Sequence, residues 1–206
     1  MPETLRTTER IPSQPFLMSD TAFDGVYDEP IRELSAQHWT PVRVAVRAAK
    51  LLTQAGATRI LDVGSGVGKF CIVGALSTNA HFVGLERRKR LVDIARGAAA
   101  RLHVSRATFV HANVDAFSFE GFDGIYLYNP FYEQISRFLR QIDERPEQSP
   151  LLYRHFVRMT TEKLAGLAAP VAVLTFNGFG GNMPPAYTFL GDEPAGNDRL
   201  ELWVKK

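Results

Sequence analysis

The chain has 206 residues, and its 24 basic and 22 acidic side chains nearly cancel. This length suits one well-buried domain, and the balanced charge gives no reason to expect an obligatory nucleic-acid or membrane partner. The one cysteine excludes an internal disulfide and a cysteine-based zinc site. The N-terminus lacks the apolar core of a signal peptide, and no apolar run approaches the roughly 20 residues that span a bilayer. We therefore expect a cytoplasmic protein without a membrane span.

The first predicted elements are an arm and a helix. Residues 1–20 carry three prolines among polar residues and predict a flexible N-terminal arm, which leaves residues 21–206 for the folded domain. Over residues 41–52, apolar side chains recur at the period of a helix. Thr40 is suited to cap this helix and Gly56 to end it.

Beyond this helix, short apolar runs alternate with segments of helical periodicity. Strands are predicted at residues 59–63, 81–85, 108–111, 124–128 and 171–176, and helices at 70–76, 91–102, 135–142 and 152–167. Two further strand-like pieces surround the turn-rich stretch 191–197. This alternation predicts parallel βαβ units, so the fold class is α/β, with a doubly wound, mostly parallel sheet in a single domain. Sheets of this class bind ligands beyond the carboxyl ends of their strands.

The strongest motif, Asp62-Val63-Gly64-Ser65-Gly66-Val67-Gly68, follows the first predicted strand and opens a helix. Its glycines allow a sharp turn and a close ligand approach, and the helix start offers free amide donors. Glu86 ends the second strand, where an acid commonly binds ribose hydroxyls. Lys69 and Phe70 follow the loop, which departs from the G-x-G-x-x-G fingerprint of nicotinamide dinucleotide enzymes. An NAD(P)-dependent oxidoreductase is therefore disfavoured, although it stays an alternative.

These features resemble the class I S-adenosylmethionine-dependent methyltransferases, which have a seven-stranded, Rossmann-like fold. The resemblance implies five parallel strands, an antiparallel C-terminal pair, and S-adenosyl-L-methionine as the cofactor. It implies that Asp62 helps to hold the methionine moiety and that Glu86 holds the ribose. Asn113 and Val114 follow the third strand, where the family contacts adenine, although the family more often has an acid where Asn113 stands. The cofactor-binding residues expected in this way are Thr40, Asp62, Gly64, Ser65, Gly66, Gly68, Glu86, Asn113, Val114 and Asn129.

A second motif, Tyr128-Asn129-Pro130-Phe131-Tyr132, follows the fourth strand. It resembles the Asn-Pro-Pro-Tyr/Phe motif of methyltransferases that act on amino nitrogens, with Phe131 in place of the second proline. There the Asn oxygen and the Pro carbonyl accept hydrogens of the target nitrogen, and the aromatic ring packs on a planar target. The resemblance implies catalytic roles, mainly in positioning, for Asn129, Pro130 and Tyr132. An ordinary Asn-Pro turn beside core aromatics is the alternative.

The segment His38-Trp39-Thr40-Pro41 precedes the first predicted helix. Amino-methylating enzymes often carry Thr-Pro at this place, near the cofactor carboxylate. A plain helix cap beside a buried tryptophan explains the same residues. The segment 177–181, which follows the fifth strand, is either a substrate loop or a flexible connection.

The acceptor stays open between a nitrogen of a protein side chain, of a nucleic-acid base or of a small molecule. The glycine loop is similar to that of the non-SET histone-lysine methyltransferases, which favours a protein lysine, whereas the Asn-Pro-Phe-Tyr segment favours a base. A sensor or partner subunit that binds the cofactor without catalysis is the alternative from another class. The basic run Arg87-Arg88-Lys89-Arg90 is more typical of a solvated face than of a phosphate contact. The scattered histidines predict no metal site, and the sequence does not indicate the oligomeric state.

Overall fold

A computed structural model describes residues 18–136, 148–196 and 198–206 of the chain. Most of the predicted arm at 1–20 lies outside the described residues. So does most of the helix predicted at 135–142.

Seven strands in the described part of the chain form a single sheet. They are β1 (Arg59–Val63), β2 (His81–Glu86), β3 (Ala107–His111), β4 (Gly124–Tyr128), β5 (Val171–Phe176), β6 (Thr188–Ala195) and β7 (Asp198–Lys205). Their order is β3-β2-β1-β4-β5-β7-β6; β1 to β5 run parallel, and β7 is antiparallel to both of its neighbours. The strand order reverses between β1 and β4, which places a ligand crevice beyond the carboxyl ends of these two strands. The predicted α/β doubly wound class is confirmed.

Helices cover both faces of this sheet. They are α1 (Asp20–Asp24), α2 (Glu29–Arg32), α3 (Ser35–His38), α4 (Val42–Gln54), α5 (Lys69–Ser77), α6 (Lys89–Arg101) and α7 (Pro150–Gly166). Successive strand residues point to opposite faces. Accordingly, Ile60 belongs to the core beneath α4, α5 and α6, whereas Leu61 belongs to the core beneath α7, with Phe156 and Leu164 of that helix. Because both faces are buried, the parallel strands are nearly continuous apolar runs, which is why their positions were predictable.

The C-terminal hairpin is longer than predicted. Strand β6 includes residues 191–195, which the sequence analysis assigned to a turn. A register shift between Phe189 and Gly191 absorbs the irregularity, and Gly191 takes a φ of 149° there. Pro194 is tolerated because β6 lies at the edge of the sheet. The turn prediction is therefore wrong for these residues.

Helices α1 to α3 were not predicted, although they bury large side chains against the main core. Within and between them, the buried residues Phe23, Tyr27, Ile31 and Leu34 are spaced by three or four, as in a helix. Gly25 and Pro30 interrupt this pattern, so the helices are short and the periodicity is easily missed. This segment leads directly into α4.

The predicted capping role of Thr40 is wrong. Its Oγ1 lies 2.8 Å from Oη of Tyr126, a buried residue of β4, instead of bonding to the first turn of α4. Asp20 serves that turn, because its Oδ1 accepts a hydrogen bond from the backbone N–H of Val42 at 2.9 Å. The hydroxyl of Thr40 therefore ties the segment before α4 to the centre of the sheet.

Candidate cofactor and acceptor site

The loop after β1 makes a tight turn through three glycines with positive φ. These are Gly64 (80°), Gly66 (53°) and Gly68 (81°). The backbone N–H groups of Gly64 and Ser65 both donate to the carbonyl of Leu85, at 2.9 and 3.0 Å, which fixes the loop against the end of β2. A Cβ on Gly68 would lie 2.5 Å from the ring of Phe109, whereas a Cβ on Gly66 would meet nothing within 4 Å. The loop is therefore packed on its inner side and open beside Gly66.

Glu86 is buried and its carboxylate bonds directly to this loop. Its Oε2 accepts a hydrogen bond from the backbone N–H of Gly66 at 3.1 Å. Its Oε1 accepts from the backbone N–H and the Nε of Arg88, at 2.9 and 3.2 Å. An ionised carboxylate has about four acceptor positions. One position thus remains for a ligand hydroxyl, on the oxygen nearer the glycine loop.

Asp62 is a buried carboxylate with few polar partners to offset its loss of hydration. Its one hydrogen-bond partner among the described residues is the thiol of Cys71, which donates to Oδ2 at 3.4 Å. Burial raises the pKa of Asp62 to about 7, and the nearby charge of Glu86 adds to this rise, while the thiol hydrogen bond opposes it. Burial also raises the pKa of Cys71 well above its usual value, so the thiol stays protonated and can donate. A ligand ammonium group at this position would be strongly favoured.

Asn113 and Val114 line the same cavity as Glu86. The Oδ1 of Asn113 accepts from the backbone N–H of Val114 at 2.8 Å and caps a short 3-10 turn, so that N–H is already used. Both residues line a cavity of about 40 Å³ together with Glu86, Phe131 and Gln134. Ligand pockets usually measure roughly 300–1,000 Å³, so this cavity is small for a ligand.

The segment after β4 lies against the glycine loop. A Cβ on Gly64 would approach the Cβ of Pro130 to 3.0 Å, so the two loops are in close contact. Asn129 has a φ of 40°, and its backbone N–H donates to the carbonyl of Gly178 at 2.9 Å. The ring of Tyr132 is 42% exposed. Of the predicted acceptor residues, Asn129 and Pro130 thus lie beside the cofactor loop, and Tyr132 faces the solvent.

Asn177 is the first residue of the segment 177–181, for which the sequence analysis left a substrate loop and a flexible connection open. Register pairing of Tyr128 with Phe176 places Asn129 and Asn177 level with each other, at the ends of adjacent strands. Asn177 also has a left-handed backbone, with a φ of 57°. Neither asparagine side chain makes a hydrogen bond within the described part of the chain. Non-glycine residues with a left-handed backbone cluster at functional sites. In the sequence, the pair Asn177-Gly178 directly after a predicted strand is the feature that points to such a residue.

A charged network next to the site was also missed. Arg88 lies in the basic run that was interpreted as a solvated face, yet its side chain is only 20% exposed. Its Nη1 donates to Oε2 of Glu133 at 2.9 Å and its Nη2 to Oε1 at 3.5 Å. His38 Nδ1 lies 3.4 Å from the same Oε1. The solvated-face interpretation is therefore wrong for Arg88, because the fold brings Glu86 and Glu133 to its two ends.

The described residues contain neither a cluster of metal-ligating side chains nor a helix that could span a membrane. In ranges 18–136, 148–196 and 198–206, no group of three or more His, Cys, Asp or Glu side chains is arranged to hold a metal ion. No helix in those ranges combines the length and the apolar character needed to cross a bilayer.

Comparison with known proteins finds similarity to methyltransferases. Residues 54–142 match the model of a family described as methyltransferase domain. The chain is 30% identical over 135 residues to the protein-L-isoaspartate O-methyltransferase of Methanocella arvoryzae. That alignment covers 62% of this chain, and the chain spans only 65% of the length of this curated relative.

Solved structures give the same picture of the fold. An RNA methyltransferase from Salinibacter ruber, in complex with S-adenosyl-L-homocysteine, has a TM-score of 0.57 and 19% identity, over 81% of this chain and 92% of that one. A protein from Klebsiella pneumoniae that is proposed to be an O-methyltransferase has a TM-score of 0.59 and 16% identity, over 92% of each chain. The chain therefore has the seven-stranded, Rossmann-like fold of the class I methyltransferases, and residues 54–142 carry the sequence features of a methyltransferase domain.

Proposed function

We propose that this protein is an S-adenosylmethionine-dependent methyltransferase that methylates a nitrogen atom. One observation carries the proposal: two buried carboxylates flank the glycine loop at the switch point of the sheet, and the Asn129 segment packs against the same loop. Fold alone does not determine chemistry, so the argument rests on these side chains.

The residues present fit the cofactor. Asp62 is a buried anion without a cationic partner among the described residues, which suits the ammonium group of a methionine moiety. Glu86 has one acceptor position left for a ribose hydroxyl, and Asn113 and Val114 stand where adenine would lie. The open space beside Gly66 leaves room for close approach to the loop backbone. The bound cofactor supplies an electrophilic methyl group.

The acceptor side is assigned to Asn129, Pro130 and Tyr132. The side-chain oxygen of Asn129 and the carbonyl of Pro130 would accept the hydrogens of the target nitrogen and thereby direct its lone pair at the methyl group. This is catalysis by positioning, which can supply several kcal/mol when the geometry is right. Tyr132 is 42% exposed, which leaves its ring accessible to a planar target and supports this assignment.

The nitrogen assignment rests on the Asn-Pro-Phe-Tyr segment, while the Methanocella relative is an O-methyltransferase. The proposed acceptors are a protein side chain, a nucleic-acid base and a small molecule. The likeness of the glycine loop to that of non-SET histone-lysine methyltransferases supports the first, and the Asn129 segment supports the second.

Calorimetric titration with S-adenosylhomocysteine, with NAD as the control, tests the cofactor. Micromolar binding that is lost in Asp62→Ala or Glu86→Ala supports the proposal, whereas preference for NAD would refute it. Labelled S-adenosylmethionine is then offered with lysine-rich peptides, RNA and small amines. Asn129→Ala should lower transfer steeply and lower S-adenosylhomocysteine affinity far less than Asp62→Ala or Glu86→Ala does. Binding without transfer to any of these acceptors would favour a sensor or partner subunit.

A further inference from the structure

The ion pair between Arg88 and Glu133 joins two sides of the proposed cofactor site. Arg88 lies between β2 and α6 and binds Glu86, which ends β2. Glu133 lies in a short 3-10 turn at residues 132–134, directly after the acceptor segment. The guanidinium reaches both oxygens of Glu133, an arrangement that restrains orientation as well as distance. His38 Nδ1 also lies 3.4 Å from Oε1 of Glu133.

The same part of the chain closes the cavity. We call residues 131–136 the closing segment. Its buried side chains Phe131 and Gln134 line the 40 Å³ cavity opposite Glu86 and Asn113. Phe131 also contacts the ring of Phe156 in α7, with centroids 5.4 Å apart. An adenosyl group is larger than this cavity, so we expect the closing segment to move when such a ligand binds.

We propose that the Arg88–Glu133 ion pair is a gate that holds the closing segment over the cofactor site and so links cofactor binding to the position of the acceptor loop. The inference rests on the proposed function, since it assigns a regulation of that same site. The closing segment begins directly after Pro130. A movement of this segment would therefore also move the neighbouring residues assigned to the acceptor.

The size of the effect follows from the exposure of the pair. The side chains of Arg88 and Glu133 are 20% and 24% exposed. A partly exposed pair of this kind shifts an equilibrium by about twofold to fivefold. In the proposed closed form the ligand is excluded, so the apparent affinity is reduced in proportion to the open fraction, and weakening the pair should restore it. The increase in apparent affinity should appear in the association rate constant. In the proposed model the ligand binds only to the open form, so the ion pair does not slow its release.

The test compares the full chain with Glu133→Gln, which removes the charge and keeps the shape. Glu193→Gln is the matched control, because Glu193 forms a similar two-oxygen pair with Arg47 far from the site. Surface plasmon resonance with S-adenosylhomocysteine should give an association rate constant about twofold to fivefold higher for Glu133→Gln and a dissociation rate constant unchanged. Raising the salt concentration should speed association to the wild type and not to this variant. Glu193→Gln should behave as the wild type.

Hydrogen exchange separates this proposal from the proposed function. In the ligand-free protein, amides of residues 131–136 should exchange faster in Glu133→Gln than in the wild type or the control. Unchanged exchange, or unchanged or weaker S-adenosylhomocysteine binding by Glu133→Gln, would overturn the gate. Absence of binding to the wild type and to both variants would instead refute the cofactor assignment, while the exchange result would still decide whether the ion pair restrains the segment.

Discussion

The ionisation of Asp62 offers a test of the site that needs no acceptor. An ordinary aspartate has a pKa of about 3.9, whereas burial raises that of Asp62 to about 7. The folded protein thus holds this proton more tightly than the unfolded chain. The resulting stabilisation is complete below pH 4 and is lost as the pH rises to about 7. Three pH units at 1.36 kcal/mol each correspond to about 4 kcal/mol of unfolding free energy.

Asp62→Asn isolates this contribution because it keeps the side-chain shape and removes the titration. Urea denaturation of both proteins from pH 4 to pH 8 gives the difference in unfolding free energy at each pH. The wild type should lose up to about 4 kcal/mol relative to the variant between pH 4 and 7, and the difference should then level off. A difference that stays constant over the whole range would refute the reasoning. Cys71→Ala should move the loss to higher pH, since it removes the thiol hydrogen bond that opposes the rise.

Ligand binding should depend on the same proton. If Asp62 holds an ammonium group, only its ionised form binds well, and S-adenosylhomocysteine affinity should rise up to tenfold per unit as the pH increases toward 7. Asp62→Asn should bind weakly at every pH. Calorimetry at several pH values in buffers of different ionisation enthalpy would also show the proton released on binding. Affinity that is independent of pH would separate Asp62 from the ammonium group.

Three further predictions concern packing, a buried ion pair and the second asparagine. Gly68→Ala should cost about 2–5 kcal/mol of unfolding free energy, because its Cβ would overlap the ring of Phe109. Gly66→Ala should cost only about 1–2 kcal/mol, because it adds backbone strain without a clash. Equal losses in urea denaturation would contradict this reasoning. Lys69→Met should cost about 3–5 kcal/mol by leaving buried Asp24 unpaired, and adding Asp24→Asn should recover part of the loss in the same assay. Asn177→Gly removes an amide and relieves a left-handed backbone, so methyl transfer should fall at least about tenfold while melting temperature and S-adenosylhomocysteine affinity hold. Full transfer activity would exclude Asn177 from the acceptor site.

The elements around the cofactor loop were predictable because their sequence signals are local. A parallel strand buried on both faces is a short apolar run, so β1 and β2 could be placed within a residue or two. Once these strands are placed, Asp62 and Glu86 must meet at the same edge of the sheet. The structure confirms that Glu86 reaches the glycine loop, where it accepts a hydrogen bond from Gly66.

What the sequence could not predict depends on partners far apart along the chain. Thr40 looked like a helix cap, yet its hydroxyl bonds to Tyr126, which is 86 residues away. Arg88 belonged to a run of basic residues, and its partner Glu133 lies 45 residues further on. Local pattern cannot distinguish a solvated arginine from one that the fold places between two carboxylates. In both cases tertiary contacts override a reasonable local interpretation.

Lys69 shows how such a contact bears on ligand choice. In the sequence, Lys69 was notable only because it follows the glycine loop where that loop departs from the G-x-G-x-x-G pattern of dinucleotide enzymes. In the structure its Nζ is buried 2.6 Å from Asp20 and 2.7 Å from Asp24, so its charge is used in holding α1 against α5. It therefore contributes little to the field at the glycine loop, which is dominated by Asp62 and Glu86. Glu86 would bind a ribose hydroxyl in either ligand, whereas the buried carboxylate of Asp62 would repel a pyrophosphate and complement an ammonium group. The arrangement thus disfavours a dinucleotide on electrostatic grounds, independently of the glycine spacing.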